Sequence, residues 1–128
     1  MTVTAPQGFR AAGVVAGLKP SGAPDVALVV NDGPSHVGAA VFTTNRVVGW
    51  PVVWSRQVVG DGVVHAVVLN SGSANVCTGP DGFADVHVTA ERVGEVLGVS
   101  PADVVVCSTG IIGERVPRER LLDGVGAA

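Results

Sequence analysis

Tyrosine is absent from this sequence, and only three phenylalanines and two tryptophans stand among its 128 residues, an aromatic share of 4%. A core of large rings is excluded. With 47% hydrophobic residues, burial must come from many valines and alanines, small side chains that suit a sheet-containing fold. Charged residues are also scarce, at 15%, and this balance fits one globular domain and speaks against disorder. Positive charge is not concentrated anywhere: eight Lys and Arg against eleven Asp and Glu leave a net charge of −3. Without a basic stripe, a nucleic acid is not the expected partner. The only cysteines, Cys77 and Cys107, have neither metal-ligand spacing nor the density of a secreted disulfide scaffold. They read as reduced, buried or half-buried thiols. No apolar run approaches the roughly 20 residues that span a bilayer, and Met1-Thr2-Val3-Thr4-Ala5-Pro6 lacks a basic segment followed by an apolar one. A cytoplasmic chain with no membrane partner is expected.

What is there reads as alternating strands and helices. Residues 1–24 are rich in Gly, Ala and Pro and form an irregular entry, with a short strand expected around Gly13 to Ala16. Asp25 to Val30 is an apolar run closed by Asn31-Asp32-Gly33-Pro34, turn chemistry that predicts a hairpin into Val37 to Phe42. Trp50-Pro51-Val52-Val53-Trp54 is expected as a third strand and Val63 to Leu69 as a fourth. Then the period changes. Phe83, Val86, Ala90, Val93 and Leu97 recur at three or four residues, which predicts a helix with Asp85, Glu91, Arg92 and Glu95 largely solvated. Gly98 is a natural stop for it, and Ser100-Pro101-Ala102-Asp103 has the pattern of a capped helical turn. Val104 to Cys107 returns as a strand, and Pro117 opens a last helix over Arg118 to Leu122. The order from Val63 to Cys107 is a βαβ unit with parallel strands and a right-handed crossover. The fold class is therefore α/β with a mixed sheet, and a site is expected beyond the carboxyl ends of the parallel strands.

Two segments would meet at that end. In Ser108-Thr109-Gly110, read as a turn, a threonine hydroxyl and a glycine N–H could hold a developing oxyanion, although Ser and Thr at such turns more often bond their own backbone. The loop Asn70 to Gly79 could cradle a phosphate at a helix N-terminus, but it carries neither G-x-G-x-x-G nor G-x-x-x-x-G-K-[ST]. The better reading leaves Asn70 and Asn75 satisfying nearby backbone groups. Thr43-Thr44-Asn45-Arg46 could hold an anion through the guanidinium, with a solvated loop charge as the default. His36, His65 and His87 share no ligand spacing, so no metal is expected.

Three blocks, Ala40-Val41-Phe42-Thr43-Thr44-Asn45-Arg46, Val68 through Gly79, and Cys107-Ser108-Thr109-Gly110-Ile111-Ile112-Gly113, resemble in order the N-terminal part of the ornithine acetyltransferase (ArgJ) family. Gly8-Phe9-Arg10-Ala11-Ala12-Gly13 looks like the family's opening. The resemblance implies an ArgJ/DmpA-like α-chain fold and a precursor that cuts itself into α and β chains assembled as an α2β2 heterotetramer. It implies a glutamate N-acetyltransferase that moves an acetyl group from N-acetylornithine to glutamate. Acetyl-CoA is the co-substrate in bifunctional members, and no bound cofactor is implied. Thr109 and Gly110 match the family's oxyanion hole. The family's nucleophile, the N-terminal threonine of β, has no counterpart here, so residues 1–128 read as a single incomplete domain. Two alternatives remain at this point: a non-enzymatic βαβ module that binds a phosphorylated ligand, and a piece of a related self-processing N-terminal-nucleophile amidohydrolase.

Overall fold

The computed structural model describes residues 2–128. Its scaffold is a sheet of four strands in chain order: β1 (Phe9–Val14), β2 (Val26–Asn31), β3 (Ala66–Ser73) and β4 (Val104–Ile111). β1 pairs with β2 and β2 with β3 antiparallel, whereas β3 and β4 run parallel across the expected βαβ unit. The sheet is mixed because the helical connection from β3 to β4 crosses over to the starting end of the sheet, whereas the other two connections return the chain antiparallel.

The strand period of two sorts side chains cleanly between the faces. Val26, Leu28 and Val30 share one face with Ala66, Val68, Val104 and Val106, all buried. Two helices cover this face: α2 (Gly79–Leu97) through Val86, Ala90 and Val93, and α3 (Arg118–Ala127) through Leu121 and Val125. The opposite face carries two cross-strand rows, Ala27–Leu69–Cys107 and Val29–Val67–Val105, and these remain half-buried or exposed. The entry to β2 is pinned by Asp25, whose buried carboxylate accepts backbone N–H groups from Ala16, Leu18 and Lys19.

Several expectations are corrected. The strand near Gly13 to Ala16 is β1, which starts at Phe9, and β3 begins three residues later than Val63 and continues to Ser73. The hairpin into Val37 to Phe42 does not form, because β1 and β3 already occupy the two sides of β2. Asn31 still makes its turn, accepting from the Gly33 N–H at 2.9 Å, but the chain departs as an irregular strap with a single bridge between Val37 and Val63. Trp50 to Trp54 is not a strand but the start of helix α1 (Trp50–Val58). Pro51 lies in its first turn, where a missing N–H leaves no gap, and Trp54 and Val58 point inward one turn apart. Asp85 is buried rather than solvated, since Arg115 and Arg118 both reach it. Cys77 and Cys107 are exposed, not buried.

Other readings match. α2 contains the whole predicted helix and ends at Gly98, whose φ of 69° is the left-handed stop. Ser100 caps the short 3₁₀ turn Pro101–Asp103 by accepting from the Ala102 N–H at 3.2 Å.

Candidate functional site at the carboxyl ends of β3 and β4

Parallel pairing brings the two candidate segments side by side, as expected, but as strand rather than as loop and turn. Asn70, Ser71 and Gly72 stand opposite Ser108, Thr109 and Gly110 in register. Thr109 is exposed and, by strand alternation, projects from the open face that also carries Leu69 and Cys107. Ser71 is its cross-strand neighbour. An open hollow of about 310 Å³ lies beside them, with Ala27, Leu69 and Cys107 in its wall and Asn70, Ser71 and Thr109 at its polar end.

Gly110 is fixed by sterics as much as by any chemistry. Its φ is 133°, and a Cβ there would overlap the carbonyl of Gly72 and lie 2.7 Å from the Ser73 nitrogen. Two glycine backbones thus approach closely where β3 and β4 end. The alternation of backbone groups also matters. The N–H and C=O of Val106 point to the outer edge of β4, where the buried Ser55 hydroxyl of α1 accepts from the nitrogen at 3.1 Å and donates to the oxygen at 2.9 Å. Trp54 Nε1 donates to the Val104 oxygen on the same edge at 2.9 Å. Two and four residues further, the backbone groups of Ser108 and Gly110 face that edge beyond these contacts. A threonine hydroxyl on the open face and a glycine N–H on the open edge can converge on one small anionic oxygen.

The polar residues around this end are mutually engaged. Ser108 Oγ donates to Asn70 Oδ1 at 2.6 Å, and Asn70 Nδ2 donates to the Ser73 oxygen at 3.3 Å. Asn75, held at φ 52°, donates to the Gly82 oxygen at 2.8 Å and accepts from the Thr78 hydroxyl at 2.6 Å. The side chains of Asn70 and Asn75 are thus spent on stabilising the loop rather than directed at a phosphate.

The remaining candidates lie elsewhere. Thr43, Thr44, Asn45 and Arg46 are all exposed on the strap, and among the described residues Arg46 makes no ion pair. His36 stacks on His65 at 3.7 Å between ring centroids, and His87 packs edge-on against Trp54 and Phe83. Among the described residues no three His, Cys, Asp or Glu side chains gather as a metal site would require. Cys107 reaches the surface beside the hollow, yet the strands around its sulfur remove enough water to push the thiol above its ordinary value. That makes it a poor nucleophile at neutral pH.

Sequence reasoning missed the ion cluster that closes the return from β4 to α3. Asp85 receives Arg115 in a two-pronged pair, both contacts at 2.9 Å, and Arg118 Nε at 2.7 Å, while Arg115 also reaches Asp81 at 3.1 Å. Donating to the Asp85 carboxylate holds the Arg115 guanidinium above its usual range. The helical position of Asp85, next to the inward Val86, was the available signal.

Comparison with known proteins gives this geometry a context. The ArgJ family model matches residues 10–128. The chain is 62% identical to the arginine biosynthesis bifunctional protein ArgJ of Thermobifida fusca and 59% identical to that of Streptomyces coelicolor. Each alignment covers all of this chain and 33% of the relative. The chain therefore spans about a third of the length of these curated relatives. The crystal structure of ornithine acetyltransferase complexed with ornithine from Mycobacterium tuberculosis superposes with a TM-score of 0.97 at 55% identity, covering 98% of this chain and 68% of that one. The ArgJ structure from Bacillus halodurans gives 0.88 at 32% identity, over 94% and 62% of the two chains. With its sequence matched from Arg10 to the last residue and its mixed sheet reproduced in these solved relatives, the chain belongs to the ArgJ family.

Proposed function

We propose that this chain is the N-terminal, α-chain portion of a glutamate N-acetyltransferase of arginine biosynthesis, and that it supplies the oxyanion hole through Thr109 and Gly110. The donor is N-acetylornithine and the acceptor glutamate, with acetyl-CoA as a second acetyl donor and no bound cofactor. The nucleophile, an N-terminal threonine exposed by self-cleavage, belongs to a β chain from the same precursor, the two assembling as an α2β2 heterotetramer in the cytoplasm. None of the described helices is long and apolar enough to cross a membrane.

The chemistry divides between the two parts. The β-chain threonine hydroxyl, deprotonated by its own α-amine, attacks the acetyl carbonyl of N-acetylornithine. As the carbonyl oxygen becomes an oxyanion, the Thr109 hydroxyl and the Gly110 N–H donate to it. The tetrahedral species collapses as the C–N bond breaks, ornithine leaves with the proton from the α-amine, and an acetyl ester stays on the threonine. The amine of glutamate attacks that ester through the same oxyanion geometry, giving N-acetylglutamate and the free hydroxyl.

The observation that carries the reading is that, in a chain of this family, Thr109 and Gly110 stand together at the open end of β4, one exposed on the uncovered face and the other on the uncovered edge. The rows Ala27–Leu69–Cys107 and Val29–Val67–Val105, half-buried or exposed, give the β chain an apolar seat next to that end. The test is acetyl transfer from N-acetylornithine to glutamate by this chain, with and without a separately expressed downstream segment carrying the nucleophile. Activity is expected only on complementation, and Thr109→Ala should lower kcat by about 10²- to 10³-fold. A folded complex without transfer, or one that hydrolyses peptides instead, overturns the reading, the latter in favour of an amidohydrolase.

A further inference from the structure

Resting on the reading that Thr109 and Gly110 bind the oxyanion, we infer that Asn70 and Ser108 are the positioning residues of that hole, acting through the hydrogen bond that precedes it, with Ser73 completing the grip that follows it. The segment Thr109–Gly113 is gripped at both ends by the polar tail of β3. Before it, Ser108 Oγ donates to Asn70 Oδ1 at 2.6 Å. After it, the oxygen of Glu114 accepts a short hydrogen bond of 2.5 Å from Ser73 Oγ. The two grips are joined, because Asn70 Nδ2 donates to the Ser73 oxygen at 3.3 Å and Ser73 Oγ accepts from the Asn75 N–H at 3.3 Å.

Burial makes this chain of bonds consequential. Asn70 and Ser73 are only 6% and 4% exposed, so neither can exchange these partners for bulk water. Backbone bonds lie between the grips, with Ala74 N–H donating to the Ile111 oxygen at 3.0 Å and Gly113 N–H to the Val76 oxygen at 2.8 Å. By strand alternation the side chains of Asn70 and Ser108 project to the face opposite Thr109, which distinguishes them from residues that would touch substrate. Gly110, at its unusual φ, has no side chain with which to hold its own position, so its N–H direction is set by its neighbours. A hole whose donors must meet an oxygen to within a fraction of an ångström depends on such support.

The test uses the chain joined to the remaining two-thirds found in its relatives and compares wild type with Asn70→Ala, Ser108→Ala, the double variant and Ser108→Thr. Two readouts are taken: kcat and KM per acetylatable site, counted by the burst of acetyl-enzyme, and hydrogen exchange of the peptide spanning residues 104–116. Counting sites separates misplacement of the donors from loss of folded protein. Asn70→Ala and Ser108→Ala should each lower kcat per site by about 10- to 100-fold with KM changed little. The double variant should lose no more than either single one, and Ser108→Thr, which keeps the hydroxyl, should retain most of the activity. Exchange in 104–116 should rise by roughly tenfold in both alanine variants while the α2 peptide stays protected. Unchanged kcat per site, additive losses, or unaltered exchange in 104–116 would overturn the inference. Absence of transfer by the wild-type assembly would instead overturn the acetyltransferase reading, and the exchange readout would still decide whether Asn70 and Ser108 hold this segment.

Discussion

Thr109 and Gly110 are adjacent, yet substitutions at them report on different things. Gly110 combines a φ of 133° with a position where a Cβ would overlap the Gly72 carbonyl. Alanine there must displace β3 from β4, and Gly110→Ala is expected to cost on the order of 3 kcal/mol, read as a lowered denaturation midpoint. Its effect on activity would therefore say little about the N–H. Thr109 is exposed and borders open space, so Thr109→Ala should leave stability within about 0.5 kcal/mol of wild type. If urea titration instead shows Thr109→Ala to be as damaging as Gly110→Ala, the threonine is a packing residue and its loss cannot be used to assign the hole.

Among the elements, α1 shows how a strand edge can be closed without another strand. Ser55 both accepts from and donates to Val106, and Trp54 caps Val104, so a helix provides what a fifth strand would have provided. Ser55→Ala would leave an N–H and a C=O buried and unpaired, at an expected cost of about 1 to 3 kcal/mol, measurable by chemical denaturation. A neutral outcome would mean that water replaces the hydroxyl and that the edge is open there. This element also marks a limit of sequence reading. Trp50-Pro51-Val52-Val53-Trp54 is short, apolar and rich in β-branched residues, which favours a strand; only the four-residue spacing of Trp50, Trp54 and Val58 spoke for a helix. The α2 period, the Gly98 stop and the Ser100 cap were legible because each is a local device. The hairpin after β2 was not, because what forbids it is the occupation of both sides of β2 by partners distant in sequence. The same distinction holds at the site. The residue types of Ser108-Thr109-Gly110 alone favour an ordinary turn, and the family resemblance is what singles out Thr109 and Gly110, whereas the Asp85 cluster depends on arginines some thirty residues away, and the Asn70 bridge on parallel register.

For the whole molecule, the two faces of the sheet are unequal, and this governs how the chain behaves alone. One face is sealed by α2 and α3; the other offers Val29, Val67, Val105 and their neighbours with no helix over them. Leu69 is 37% exposed, and the strap and site end add Val41 at 98%, Val47 at 65%, Ile111 at 56% and Ile112 at 65%. So much contiguous and nearby apolar surface is uncommon on a monomer that works alone, and the chain carries only a modest net charge of −3 to keep copies apart. The isolated 128 residues are therefore expected to self-associate, giving sedimentation profiles that shift to larger species with concentration. Leu69→Glu, placed at the centre of the Ala27–Leu69–Cys107 row, should reduce that association while leaving the far-ultraviolet circular dichroism unchanged. The same substitution should weaken capture of the downstream segment, because both events use one face. A wild-type chain that sediments as a monodisperse monomer and melts cooperatively would show that this face is adequately covered by its own strap. Association that persists in Leu69→Glu would move the contact to the exposed valines of the strap instead.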